Sequence, residues 1–226
     1  MRIDRSMVLR ALNLVSISGI NEVVINQDGT VCHPSPDRTL FVYGNLELEG
    51  LDEAWAIPDI SLLQRMLKQF QSPEIDVSRN RNSFLMQADG IRWNYRLGSV
   101  DAIQKLKSDA IEEVLANMDF SCTVTVDVLK KIQSIQSVVK ASYIHFVSKE
   151  GKFFVMVGER DTYAGTTELE LSPKMDFDLK VPADRLIGVI EKIDDPKVSL
   201  QFWCGTKKLI RVQMPTFGWI IGAIKE

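Results

Sequence analysis

A chain that repeats itself can fold only into an architecture that uses one unit twice, and this sequence repeats itself at an offset of 123 to 124 residues. Ile57-Pro58-Asp59-Ile60-Ser61-Leu62-Leu63 is echoed by Val181-Pro182-Ala183-Asp184-Arg185-Leu186-Ile187. Each run opens on a β-branched residue and a proline, then continues with the apolar spacing of an amphipathic helix. Each helix stops near a second proline, Pro73 or Pro196, and an alternating strand follows, Glu74-Ile75-Asp76-Val77-Ser78 or Lys197-Val198-Ser199-Leu200-Gln201. The offset is 124 at the first proline and 123 at the second, so a single deletion reconciles the two halves. The first proline of each run is expected inside the opening helical turn, where no intrahelical donor is lost.

The correspondence continues upstream. A helix from about Asp4 to Ser18 matches one from about Val126 to Val139, with Leu9, Leu12 and Val15 answering Leu129, Ile132 and Ile135. A strand and a tight turn follow each helix, and the turns carry Asp28-Gly29 and Glu150-Gly151, where glycine accepts the positive φ of a hairpin. The order helix, strands, helix, strands, performed twice, predicts an α+β protein of two similar domains, each with two helices packed on antiparallel sheets. The N-terminal domain is expected over residues 1–110 and the C-terminal domain over 111–226. The segment 99–119 reads as the connector; it has the composition for a short helix between Asp101 and Asn117.

Helical periodicity separates the faces of the four repeated helices. The first turns Val8, Leu9, Leu12 and Val15 inward and Ser6, Arg10 and Asn13 outward. The second buries Leu63, Met66, Leu67 and Phe70 and exposes Gln64, Arg65 and Lys68. The third buries Val128, Leu129, Ile132 and Ile135 beneath Lys130, Lys131 and Ser134. The fourth buries Leu186, Ile187, Val189, Ile190 and Ile193 and exposes Arg185, Gly188 and Lys192, with Glu191 beside them. Acidic residues gather elsewhere, in Glu47–Glu53, Asp109–Glu113 and Glu168–Asp178. The chain has 27 basic and 30 acidic residues and a formal net charge of −3, the reverse of the basic excess usual in a DNA-binding domain. A chain with this balance reaches phosphate only if its cations are segregated, and the helices segregate them. No zinc finger, base-reading helix or aromatic stacking motif accompanies them, so contact with phosphate would be sequence-independent.

Two repeated domains with basic helices and extensive sheet resemble the DNA polymerase sliding clamps of the proliferating cell nuclear antigen group, closest in appearance to those of tailed phages. The resemblance covers essentially the whole chain, most closely Val126–Gly158 and Val181–Lys225. It implies the DNA-clamp fold and a homotrimer closed head to tail, with six domains around a hole lined by helices. Double-stranded DNA would be held by topology, an ATP-dependent clamp loader would open the ring, and a DNA polymerase would ride on it. Arg5, Arg10, Arg65, Lys68, Lys130, Lys131, Lys140, Arg185 and Lys192 would then face the duplex, with Arg5 and Lys140 at helix ends. A partner's apolar tail would insert beside the connector and the C-terminal strand, against Leu106, Ile111, Pro215, Phe217 and Ile220. Without the resemblance, those five fit ordinary core positions equally well. The connector departs from the family pattern, being charged and partly helical where the clamps have extended ones.

The chemistry of an enzyme is missing from the sequence. No phosphate-binding glycine loop, nucleophile elbow or paired carboxylates appear, and Gly158-Glu159-Arg160-Asp161 reads as a hairpin turn. Cys32, Cys122 and Cys204 are far apart and odd in number, which fits free thiols in a reducing cytoplasm. His33 and His145 are the only imidazoles, so no metal and no cofactor is expected. No apolar run reaches the roughly 18 residues a membrane span requires. The alternatives are a ring-forming phage or virus structural component with no DNA role, and a small-molecule hydrolase on an α+β scaffold. Free sheet edges independently favour assembly, since an uncovered ladder invites pairing. Phe41–Leu48 or the Arg79–Tyr95 hairpin is the expected edge of one domain, and Gly151–Arg160 that of the other.

Overall fold

The computed structural model describes residues 1–17, 19–48, 51–103, 108–158, 165–169, 175–205 and 207–224, with side chains described for all of these but 108–110. They form two compact units: Met1–Pro36 with Val42–Lys107, and Asp37–Phe41 with Ser108–Glu226.

The first unit runs β1 (Arg2–Asp4), α1 (Arg5–Val15), β2 (Val23–Ile25), β3 (Thr30–Pro34), β4 (Leu40–Asn45), β5 (Trp55–Ile57), α2 (Ile60–Leu67), β6 (Glu74–Asn80), β7 (Ser83–Ala88) and β8 (Ile91–Arg96). The second contains α3 (Ser108–Ala116), β9 (Phe120–Thr125), α4 (Val126–Val139), β10 (Tyr143–Lys149), β11 (Lys152–Val157), β12 (Gly165–Leu169), β13 (Phe177–Pro182), α5 (Ala183–Ile190), β14 (Lys197–Trp203), β15 (Leu209–Gln213) and β16 (Phe217–Gly222). In unit 1 the antiparallel order is β1-β6-β7-β8, with β2 on β5. In unit 2 it is β9-β14-β15-β16 and β12-β11-β10-β13. The segment Asp37–Phe41 belongs to unit 2, where Thr39 O accepts the Gly222 N–H at 2.8 Å.

The duplication is visible bond by bond. The first residue of α1, Arg5, donates its N–H to Pro73 O at 2.8 Å, and Val126 opens α4 by donating to Pro196 O at 3.0 Å. Ile60 donates to Asn21 O at the start of α2, as Ala183 donates to Ser142 O at the start of α5 (2.7 and 2.9 Å). Gly98 N–H to Ala56 O and Ile224 N–H to Lys180 O repeat the same pairing after the last strand of each unit. These bonds put Ile57 opposite Val181 but Ile60 opposite Ala183, so the missing residue is at the cap of the second helix.

That deletion changes how the helices begin. Asp59 is the N-cap of α2, accepting from Leu62 N at 2.8 Å, whereas Pro182 holds the N-cap position of α5 with no side chain to offer. Neither proline lies within the first helical turn as the sequence suggests: Pro58 precedes the cap, and Pro182 is the cap. A proline ring there fixes the extended φ of −60° that a cap needs but accepts no bond, and Asp184 in the first turn meets the dipole instead. α1 and α4 differ in the same way, with Asp4 capping Ser6 and Met7 in α1 and Asp127 in the first turn of α4. Asp59→Ala is expected to destabilise unit 1 by about 1 kcal/mol, read as a lower urea midpoint at unchanged slope.

The helices bury most of the residues their spacing turns inward, though Leu9, Met66, Val128 and Ile193 are only half-buried. Val8, Leu12 and Val15 of α1, and Leu63 and Leu67 of α2, join Ile75, Val77 and Phe84 under the sheet of unit 1. Leu129, Ile132, Leu186, Val189 and Ile190 do the same in unit 2, where Ile135 and Ile187 are only half-buried. α1 stops at Val15, short of the expected Ser18, and Ser16 N closes it on Leu12 O at 3.0 Å. The connector contains α3, a helix where the sequence favoured a linker.

Candidate nucleic-acid interface

The nine candidate cations fall into two groups. Arg65, in the last turn of α2, and Lys68, its C-cap, are exposed, as are Lys130, Lys131 and the C-cap Lys140 on α4. None of these five side chains makes a hydrogen bond or ion pair among the described residues. Arg65, Lys68 and Lys140 are also well placed to offset the negative end of their helix dipoles. Lys140 sits at φ 54°, the left-handed cap that ends α4, which turns its side chain off the helix into solvent.

The other four are engaged. Arg5 is half-buried and donates from Nη1 to Phe70 O at 2.5 Å, tying the start of α1 to the chain after α2. Arg10 is exposed but lies 3.3 Å from Glu47 Oε2. Arg185, 16% exposed, donates to Asp37 Oδ2 at 2.7 Å and has Asp184 at 3.7 Å. Lys192 is half-buried and not without a partner. The acidic segments that the sequence sets apart from the basic helices supply several carboxylates: Glu47 to Arg10, Glu53 to Arg79 at 2.8 Å, and Glu113 to Lys207 at 2.8 Å. Periodicity placed six of the nine in solvent, Arg10, Arg65, Lys68, Lys130, Lys131 and Lys140, while Arg5, Arg185 and Lys192 are half-buried. It carried no signal for which were already neutralised.

The expected partner-tail residues are dispersed in character. Phe217 and Ile220 are fully buried in β16, Phe217 edge-on to Trp219 at 5.1 Å, and Ile111 is buried in α3. Pro215 is exposed in the turn before β16, and Leu106 lies outside the described residues, as do 159–161 of the Gly158–Asp161 turn. What sequence reasoning missed is an apolar groove of about 570 Å³ in unit 1, between α2 and β8, floored by Leu62, Met66, Tyr95 and Leu97. Leu62 and Met66 stand four apart on α2, a spacing that marks a second apolar stripe beside the core-facing one. Tyr95 fixes the wall: its hydroxyl donates to Asp59 O at 2.8 Å and accepts from Asp59 N at 3.0 Å, and burial pushes its pKa up to about 12.

Burial shifts two of the thiols and one of the imidazoles. Burial pushes the Cys122 and Cys204 thiols up to about 12, the second also under the charge of Asp119, so neither supplies thiolate near neutrality. Burial holds the His33 imidazole down near 4. Among the described residues no three His, Cys, Asp or Glu side chains gather as metal ligands, and no helix is long and apolar enough to cross a membrane.

The free edges differ in part from those expected. β8, in the second hairpin, ends its sheet, while β11 is interior and β12, like β13 and β9, is an edge strand of unit 2. β12 reads Gly-Thr-Thr-Glu-Leu, too short and polar for its alternation to stand out.

No family model matches the chain, and no curated protein matches it by sequence. Solved structures do. The DNA polymerase III subunit beta of Pseudomonas aeruginosa superposes on the whole chain with a TM-score of 0.76 at 13% identity, the chain spanning 64% of its length. The DNA polymerase sliding clamp of Caulobacter crescentus gives 0.71 at 12% identity, with 65% of that protein covered. The PCNA2–PCNA3 complex of Sulfolobus tokodaii gives 0.71 at 13% identity, and there each chain covers the other completely. The chain therefore has the sliding-clamp fold, and spans about two thirds of the length of the bacterial proteins that share it.

Proposed function

We propose that the chain is the subunit of a homotrimeric sliding clamp, which encircles duplex DNA without reading its sequence and tethers a replicative polymerase. The observation that carries this reading is the combination of a clamp fold over the whole chain with helix cations that, among the described residues, are exposed and unpaired on α2 and α4. Two such side chains on α2 and three on α4, without carboxylate partners, suit contact with a polyanion. Such contacts bind phosphate weakly and equally along a duplex, which suits a protein that must slide.

The edges support assembly. Asp37–Phe41 covers the end of β16 within unit 2, while the duplicate strand β8 and the strand β12 terminate their sheets among the described residues. A second copy offering β12 to β8 would repeat at the subunit boundary what Asp37–Phe41 does inside the chain. The groove beside β8 gives that copy apolar surface to cover. Pairing of this kind is heterologous and closes into a ring when the rotation permits. An ATP-dependent loader to open the ring, a polymerase to occupy it, and a cytoplasmic, phage-encoded setting complete the reading; the protein itself would perform no reaction.

The test has two stages. Light scattering coupled to size exclusion is expected to give about three times the 25.6 kDa subunit mass, rising with concentration. Protein loaded on nicked circular duplex should then be retained on the circle and lost when the circle is cut once. A persistent monomer removes the topological mechanism. A ring that ignores the topology of the DNA returns the protein to the structural-ring alternative.

A further inference from the structure

We infer that the duplex backbone is held through α2 and α4 alone, one helix from each repeat and not the equivalent one, while α1 and α5 are electrostatically closed. This rests on the clamp reading above and narrows it. The structural alignment of the repeats makes the asymmetry explicit. Lys131 of α4 corresponds to Arg10 of α1, which is held by Glu47 at 3.3 Å. Arg65 and Lys68 of α2 correspond to Gly188 and Glu191 of α5, so α5 lacks one cation and reverses the other. Its arginine, Arg185, is 16% exposed at its side chain and lies between two carboxylates. Glu191 further accepts from Gln133 of α4 at 3.3 Å, placing a negative group beside the helix that carries Lys130 and Lys131. A cation already paired with a carboxylate releases no counterion when phosphate arrives, and must first surrender its partner. α2 and α4 have no such cost.

The measurement is the salt dependence of association with a short labelled duplex, followed by fluorescence anisotropy over a series of KCl concentrations. Each phosphate contact contributes about 0.9 to the slope of log K against log salt. Arg65→Gln with Lys68→Gln, and separately Lys130→Gln with Lys131→Gln, are each expected to reduce the slope by about 1.8. Arg185→Gln with Lys192→Gln should leave it unchanged. Glu191→Lys, which installs on α5 the residue that α2 carries, should raise it by about 0.9. Circular dichroism of each variant guards against a loss of fold. If the Arg185 and Lys192 pair lowers the slope as much as the α2 pair, or Glu191→Lys leaves it unchanged, the assignment to α2 and α4 is overturned while the DNA reading stands. If the unmodified protein associates with no salt dependence, the DNA reading falls and this inference with it.

Discussion

Phe202→Ala is expected to lower the stability of unit 2 by about 3–5 kcal/mol, the largest loss from any single truncation proposed for this chain. Phe202 is fully buried on β14 and sits at the centre of a five-phenylalanine cluster. Its ring lies 5.7 Å from Phe120, 5.4 Å from Phe146, 5.5 Å from Phe153 and 5.5 Å from Phe177. Those partners come from β9, β10, β11 and β13, so one side chain joins the two sheets of the unit. Removing it leaves a cavity that four rigid rings attached to separate strands cannot collapse to fill. At a urea slope of about 3 kcal/mol/M, the midpoint should fall by about 1–2 M. A shift below half that would mean the sheets are held chiefly by the aliphatic layer under α4 and α5.

The same position in unit 1 sharpens the test. Phe202 corresponds to Arg79 and Phe177 to Glu53, so the tilted ring pair of unit 2 is an ion pair at 2.8 Å in unit 1. Glu53 is 62% exposed at its side chain, and solvent screens such a bridge to about 1 kcal/mol or less. The cross-sheet contact of unit 1 is carried instead by Trp55 and Phe84, edge to face at 4.6 Å. Arg79→Ala should therefore cost far less than Phe202→Ala.

Elements whose signal is local were legible in the sequence. α4 runs from Val126 to Val139, as its apolar spacing predicts, and the strands after Pro73 and Pro196 begin at Glu74 and Lys197. The hairpin at Glu150-Gly151 forms with both residues at positive φ, 54° and 75°, because a two-residue turn between right-twisted strands demands it. What stayed hidden depends on distant partners. Arg185 and Asp37 are 148 positions apart, and no periodicity within α5 announces that its arginine is already bound. The shift of Pro182 into the cap position escaped because aligning the prolines hides the absence of a counterpart to Asp59. The candidate site was thus readable only in part, as the exposed cations of α2 and α4, and tertiary structure alone shows which of the nine are half-buried or already paired.

If the chain forms the proposed trimer, Arg92→Glu with Arg96→Glu is expected to convert it into monomers at micromolar concentration without unfolding unit 1. Both arginines are exposed on β8, which carries no acidic residue, and Glu168 is exposed on β12. If the edges of successive copies pair, positive β8 meets negative β12. An opposite-charge cross-strand pair contributes about 0.2–1 kcal/mol, and a like-charge pair costs a similar amount. Reversing both arginines then shifts each interface by about 2 kcal/mol, near thirtyfold. A three-membered ring contains that interface three times, so the shift compounds to about 6 kcal/mol for the closed assembly, more than four powers of ten. Small surface energies become decisive because closure multiplies them. Adding Glu168→Lys to the doubly reversed chain restores opposite charge at every boundary and should recover the trimeric mass, which a merely misfolded variant could not do. A doubly reversed protein that keeps its full mass on dilution, or a triple variant that stays monomeric, would exclude β8 and β12 as the paired edges.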